Sequence, residues 1–348
     1  MTIVVADEGL LGLAEMAPAH WQIRHYTGRV IDDDLLAGAD ALLVRSTVVL
    51  DVDRLPSSVQ FIGTATIGTD HLPRDPLAAR GIEVASAPGC NALAVTDYVL
   101  ANLLEWAACH DRDWQSLCLA VIGVGAVGAR LVARAERLGL RVVCSDAPRA
   151  EAGTLPTHQP LADVLASADV VSVHVPLTDV GNHPTRHLFD RQRLAQIRAD
   201  GLFINASRGG VTTEDGLLAC RCDLVLDVFP DEPVISDPLL ERAWRVSPHI
   251  AGHSVEGKLR GTAQVVEALC RRLGEQPKAI DLDHLSTQYC PRVQAASEIA
   301  QITASCPMTP IDASLRKAVV SQSATDRAVA FDRVRRDYPL RRESVVDF

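Results

Sequence analysis

The chain has 348 residues, 47% of them hydrophobic, with a formal net charge of −10 at pH 7. That length supports two or three cores, and with only 4% aromatics those cores must be aliphatic. The acidic balance argues against a nucleic-acid surface. Nine cysteines without a C-x-x-C pair read as core thiols in a reducing compartment, not as disulfides or a zinc site.

Residues 2–6 form the first expected strand, followed directly by Asp7 and Glu8. No basic segment with an apolar core precedes it, so a signal peptide is not expected. The longest uncharged apolar stretch is broken by glycines and too short to span a bilayer. A cytoplasmic protein without membrane contact is the expectation.

Up to residue 96, short apolar runs alternate with polar helical stretches. Residues 3–5, 41–44, 61–64 and 82–84 read as buried parallel strands joined by crossover helices. Arg45 and Ser46 follow the second of these, at the carboxyl end where ligands bind in open α/β sheets. Residues 63–71, Gly-Thr-Ala-Thr-Ile-Gly-Thr-Asp-His, follow the third. Their hydroxyls, Thr66 among them, and their backbone donors suit an anion. Equally, Thr69 or Asp70 can cap a helix starting at Leu72; local chemistry leaves both open. Ala87-Pro-Gly-Cys-Asn-Ala92 is a turn, and residues 93–109 form a long helix.

The middle of the chain is organised around residues 117–128, Leu-Cys-Leu-Ala-Val-Ile-Gly-Val-Gly-Ala-Val-Gly. A strand meets Gly123, Gly125 and Gly128; a helix covers 129–138; a second strand, 140–144, ends beside Asp146. This order builds a dinucleotide site. Gly123 allows the tight turn, Gly125 lets the pyrophosphate approach, and Gly128 lets helix and strand pack. The helix N-terminus faces the phosphates. Asp146 follows Gly128 by 18 residues, near the usual spacing of about 20 for the acid that holds the ribose. An acid there favours NAD over NADP, although Arg149 lies nearby.

Strands and helices then alternate. Strands are expected at 170–175, 202–206 and 224–228, with 244–246 leading into Pro248-His249. Helices are expected at 161–168 and 190–198, with another after Thr212 or Thr213. Three polar residues sit at the strand ends: Arg208, Glu232 and His249. In a doubly wound sheet all three face the cofactor crevice. A planar guanidinium clamps a carboxylate, a histidine exchanges a proton near neutral pH, and a glutamate orients that ring. Together they suit oxidation of a 2-hydroxy acid by hydride transfer. No His or Cys spacing suits a metal. A helix near 256–273 returns the chain, and a basic segment at 332–342 closes it.

The set Gly123-Val-Gly-Ala-Val-Gly128, Asn205-Ala-Ser-Arg208-Gly-Gly, Leu226-Asp-Val-Phe-Pro-Asp-Glu232-Pro and Ser247-Pro-His249-Ile-Ala-Gly resembles the D-isomer-specific 2-hydroxyacid dehydrogenases. Residues 61–71, the turn 87–92 and residues 257–262 resemble the branch that acts on 4-phospho-D-erythronate in vitamin B6 synthesis. The resemblance implies an α/β fold of two Rossmann-like, doubly wound domains with parallel sheets, plus a small C-terminal α+β dimerisation element. The implied domains are residues 1–96 with 254–282 for substrate, 97–253 for NAD, and a shortened 283–348 for homodimerisation. It implies Arg208 and Glu232 as the catalytic pair and His249 as proton carrier. NAD contacts fall on Gly123, Gly125, Val127, Gly128, Asp146, Val175, Ala206, Ser207, Arg208, Asp227 and Gly252. The phosphorylated 2-hydroxy acid falls to Ser46 and Thr66, with Arg45 beside them, and to His253, which stands where the family places a tyrosine. Two other readings share most of these residues: an NAD-dependent dehydrogenase of another acid such as 3-phosphoglycerate, and an NAD-sensing protein without turnover.

Overall fold

The computed structural model describes residues 1–344. It divides into two compact units, one of residues 1–91, 253–292 and the segment from Leu340 on, the other of residues 92–252 and 293–339. The expected C-terminal element is therefore shared between the units, and its residues 345–348 lie outside the described ones.

The first unit holds five parallel strands: β1 (Ile3–Asp7), β2 (Gln22–Tyr26), β3 (Ala41–Val44), β4 (Phe61–Thr64) and β5 (Glu83–Ser86). Their order is β2-β1-β3-β4-β5. Strand side chains alternate between two cores, as the pleat requires. Val4, Ala6, Leu43 and Phe61 pack under the helix Val255–Leu273, and Val5, Leu42, Val44 and Ile62 fill the other face. β2 is not expected from the sequence. Gln-Ile-Arg-His-Tyr lies at the sheet edge with two of its five residues exposed, so it lacks the apolar run that marks a central strand.

The second unit holds six parallel strands: β6 (Cys118–Ile122), β7 (Arg141–Ser145), β8 (Val170–Val173), β9 (Leu202–Asn205), β10 (Asp223–Leu226) and β11 (Arg245–Val246). The order is β11-β10-β9-β8-β6-β7. The strand order reverses between β6 and β8, the position where α/β sheets bind ligands. Leu119 and Val121 point into one core, Ala120 and Ile122 into the other. Full burial of each Leu, Val or Ile contributes about 1.5–3 kcal/mol.

The helix Ala92–Cys109 is long and apolar enough to cross a membrane by length and composition, and 78% of it is buried inside the fold. Its buried Asp97 is paired with Arg134. After Gly274, whose positive φ of 69° ends the helix Val255–Leu273, the chain forms helices Leu282–Tyr289, Glu298–Ser305, Met308–Val319 and Ala324–Arg336. The C-terminal segment is thus helical where an α+β element was expected, with no strand among the described residues. Its apolar residues Leu315, Val319 and Phe331 join the core of the second unit without offering a strand period. Seven of the nine cysteines are buried; Cys109 is exposed and Cys290 intermediate.

Candidate active site

The glycine turn after β6 has the tight geometry its sequence predicts. Gly123 has φ 88° and its N–H donates to Ser145 O at 2.8 Å. A Cβ on Gly128 would lie 2.0 Å from Gly123 O, so only glycine lets the helix Ala126–Arg137 start against the turn. Around Gly125, the N-cap, no atom lies within 4 Å of where a Cβ would stand, and no side chain caps the helix. The first-turn N–H groups are therefore left for an anion. Val127 follows in that turn, partly exposed.

Asp146 ends β7 and caps the short helix Ala147–Glu151. Its Oδ1 accepts from Arg149 N at 3.0 Å and its Oδ2 from Val124 N at 2.7 Å. The acid thus ties the glycine turn to β7 while both oxygens keep accepting capacity. Arg149 turns its guanidinium onto Val124 O and Thr154 O. Val175 lies two residues beyond β8, its Cγ1 against Gly123.

Arg208, Glu232 and His249 follow the adjacent strands β9, β10 and β11. Asn205 shapes the first of these turns. Its Oδ1 accepts from Ser207 N and Oγ at 3.0 and 2.9 Å, and its Nδ2 donates to Arg208 O at 3.1 Å. Ala206 lies between them, and Arg208 Nη1 donates to Ser207 O at 2.8 Å. A Cβ on Gly209 would sit 1.7 Å from Phe229 O. The Arg208 turn therefore meets the Glu232 loop backbone to backbone.

His249 Nδ1 lies 2.8 Å from Glu232 Oε1. An ionised carboxylate there requires Nδ1 to carry the proton, which leaves Nε2 to exchange one in the neutral ring. Burial opposes charge on Glu232. The His249 charge, the hydrogen bond to its ring and the charge of Arg335 outweigh that, so the carboxyl lies below the ordinary glutamate range.

His249 has a positive φ of 55°, and the structure gives the cause. Its N–H donates to Asp227 O at 2.8 Å, and the buried Asp227 side chain holds the rest of the turn. Oδ1 accepts from Ser247 Oγ at 2.6 Å and Ile250 N at 2.8 Å, and Oδ2 accepts from Ala251 N at 2.9 Å. Ser247 Oγ also meets Tyr98 OH at 2.7 Å. Burial pushes Asp227 up, opposed by the His249 charge and these donors. Asp227 is expected as a cofactor contact; here it is also the anchor of the His249 turn. The supporting roles of Tyr98, Ser247 and Asn205 have no local signal in the sequence. His174 competes poorly for proton transfer, since enclosure of its ring holds it down to about 4. Gly252 ends the first segment of the second unit.

Arg45, Ser46, Thr66 and His253 belong to the first unit. Arg45 Nε and Nη2 both lie 2.8 Å from Oδ1 of the buried Asp7. Gly9 admits the guanidinium, because a Cβ there would lie 2.5 Å from Arg45 Cζ. Asp7 and Arg45 end neighbouring strands β1 and β3, where this sheet reverses its order. Thr66 Oγ1 meets Thr64 Oγ1 at 2.9 Å and donates to Gly68 O at 3.1 Å. The next helix starts at Arg74 with Pro73 as N-cap, so neither Thr69 nor Asp70 caps it. In the turn 87–92, Cys90 O accepts from Arg260 Nε at 2.8 Å, and burial pushes the Cys90 thiol up to about 12. Among the described residues, no group of three His, Cys, Asp or Glu could hold a metal ion.

A family model described as D-isomer specific 2-hydroxyacid dehydrogenase, NAD binding domain, matches residues 97–251. Protein TT0316 from Thermus thermophilus shares the fold with a TM-score of 0.65 and 26% identity, over 80% of this chain and 98% of that one. Fold and match define the class, the D-isomer specific 2-hydroxyacid dehydrogenases, with NAD as cofactor. Two relatives carry the name erythronate-4-phosphate dehydrogenase. One, from Marinobacter nauticus, is 41% identical; the other, from Azotobacter vinelandii, is 43% identical; each match spans 98% of this chain and 92% of the relative. The chain belongs to the erythronate-4-phosphate dehydrogenase family.

Proposed function

We propose that this chain oxidises 4-phospho-D-erythronate to 2-oxo-3-hydroxy-4-phosphobutanoate, a step of vitamin B6 synthesis. The Glu232–His249 pair, 2.8 Å apart on the strand ends beside that of Arg208, is the observation that carries the chemistry; the names of the relatives supply the substrate. Gly123, Gly125, Val127 and Gly128 cradle the cofactor pyrophosphate, and Asp146 takes the ribose. Val175, Ala206, Ser207, Asp227 and Gly252 line the remainder. When bound, NAD would supply the acceptor for the hydride lost from C2.

Arg208 clamps the substrate carboxylate and draws electron density from the forming carbonyl. His249 Nε2 accepts the proton of the C2 hydroxyl, while Glu232 holds Nδ1–H and stabilises the imidazolium. Arg45, Ser46, Thr66 and His253 offer charge and donors suited to the remaining polar and anionic groups of the substrate. Residues 1–96 with 254–282 bind the substrate and residues 97–253 the NAD, and the chain works as a homodimer in the cytoplasm, as the family resemblance implies.

The test is His249→Ala. Loss of general acid–base help costs about 10²–10⁴-fold in turnover, with NAD binding retained. Near-full turnover of that variant would remove His249 from the proton step.

A further inference from the structure

The helix Ala324–Arg336 bears on the loop that carries Glu232. Arg327, Phe331 and Arg335 recur every four residues, so they share one helix face. Arg327, buried, donates through Nη1 to Ile235 O and through Nη2 to Asp237 Oδ1, the latter at 2.8 Å. Phe331, fully buried, packs edge-on against Phe229, with ring centroids 6.3 Å apart and planes at 85°. Phe229 precedes Glu232 and Ile235 follows it, so the helix grips the loop on both sides. One turn beyond Phe331, the charge of Arg335 acts on the Glu232 carboxylate.

We infer that this helix face positions the Glu232–His249 pair: Phe331 and Arg327 fix the loop, and Arg335 presents a permanent cation to the Glu232 carboxylate. The inference rests on the reading of that pair as the acid–base device. It makes the C-terminal segment part of the catalytic apparatus as well as a cover for the core.

Arg208 stands at the neighbouring strand end, and Asp231 directly precedes Glu232 in the chain. His249 and Arg335 act on Glu232, and Asp227 interacts with His249. On the same loop Asp237 is engaged by Arg327, and Glu214, from the neighbouring helix, binds Ser236. With its own carboxylate partner, Arg327 adds little net charge. Removing Arg335 takes away one of the cations near the pair, while Arg208 stays in place in every variant. The pair then holds its proton to higher pH. Oxidation needs the pair deprotonated, so the acid limb of kcat/KM moves upward.

The experiment compares pH profiles of kcat/KM for NAD-linked oxidation of 4-phospho-D-erythronate in the full chain and in Arg335→Gln, Arg335→Met and Arg335→Lys. Arg335 is partly exposed, which makes these variants compatible with folding; NAD binding measured alongside checks it. We expect both neutral variants to shift the acid limb upward by about half a pH unit, the scale of one unit charge at several ångströms in a partly solvated site. Arg335→Lys restores the limb. A merely structural role changes the height of the profile and leaves its limb in place. Neutral variants whose limbs overlie the wild type overturn the inference. His249→Ala separates the two failures. If it retains turnover, the acid–base reading falls. If it loses turnover while the Arg335 profiles stay unshifted, only the role of the helix falls.

Discussion

Adding one methyl group at Gly128 tests the cofactor cradle most sharply. The Cβ of Gly128→Ala would stand 2.0 Å from Gly123 O, against about 3.3 Å for a close C···O approach. Turn and helix must separate by roughly 1.3 Å. Neither atom is the end of a flexible side chain, so the backbone has to move. If the turn yields, the bonds from Gly123 N to Ser145 O and from Val124 N to Asp146 Oδ2, at 2.8 and 2.7 Å, stretch beyond useful length. Each lost bond costs about 0.5–1.5 kcal/mol, and overpacking costs about 1–3 kcal/mol. The expected destabilisation is about 2–6 kcal/mol. Urea unfolding reads the stability and calorimetric titration reads the NAD affinity; both should fall. Gly125→Ala is the control. With no atom within 4 Å of its Cβ, it should change stability by less than about 1 kcal/mol and still weaken NAD binding, because the methyl occupies the approach to the helix N-terminus. A Gly128→Ala protein with wild-type stability and NAD affinity would refute the cradle argument.

Asp146→Ala should weaken NAD binding and narrow its preference over NADP, measured as the ratio of the two dissociation constants; an unchanged ratio would take Asp146 out of ribose recognition. The same variant should lose about 1 kcal/mol of stability as the cap of Ala147–Glu151 goes. His174 predicts a pH effect. Its ring titrates at about 4 when folded and near 6.5 when unfolded, so the unfolded chain binds the extra proton first. Stability from this group is present above pH ~6.5 and is lost as pH falls toward 4, by at most about 3 kcal/mol. Urea midpoints should fall over that window, and less steeply in His174→Gln; parallel curves for the two proteins would assign the loss elsewhere.

The sheets are legible in the sequence because their strands are buried on both faces and bounded by turn residues. β3, β4 and the turn at 123–128 follow directly from apolar runs and glycines. β2 escapes such a reading because an edge strand keeps polar side chains on its open side. The C-terminal helices do not declare themselves, because their apolar stripes are sparse, with long polar stretches between them. Arg208, Glu232 and His249 can be located since strand ends are visible in sequence and a parallel sheet brings consecutive ends to one edge. What holds them cannot. Tyr98 reaches Ser247 across 149 residues, and Phe331 meets Phe229 from a different part of the chain. No local period records such pairs. Asp7 is visible only as an acid after a strand; its grip on Arg45 depends on the β1–β3 pairing.

One reaction tests the proposed function most directly. Purified protein supplied with NAD should form NADH from 4-phospho-D-erythronate, with a kcat/KM well above that for 3-phosphoglycerate or an unphosphorylated 2-hydroxy acid. NAD binding without NADH from any of these acids would contradict the proposed activity and leave an NAD-sensing protein. Faster turnover of 3-phosphoglycerate would contradict the substrate while keeping the chemistry of Arg208, Glu232 and His249.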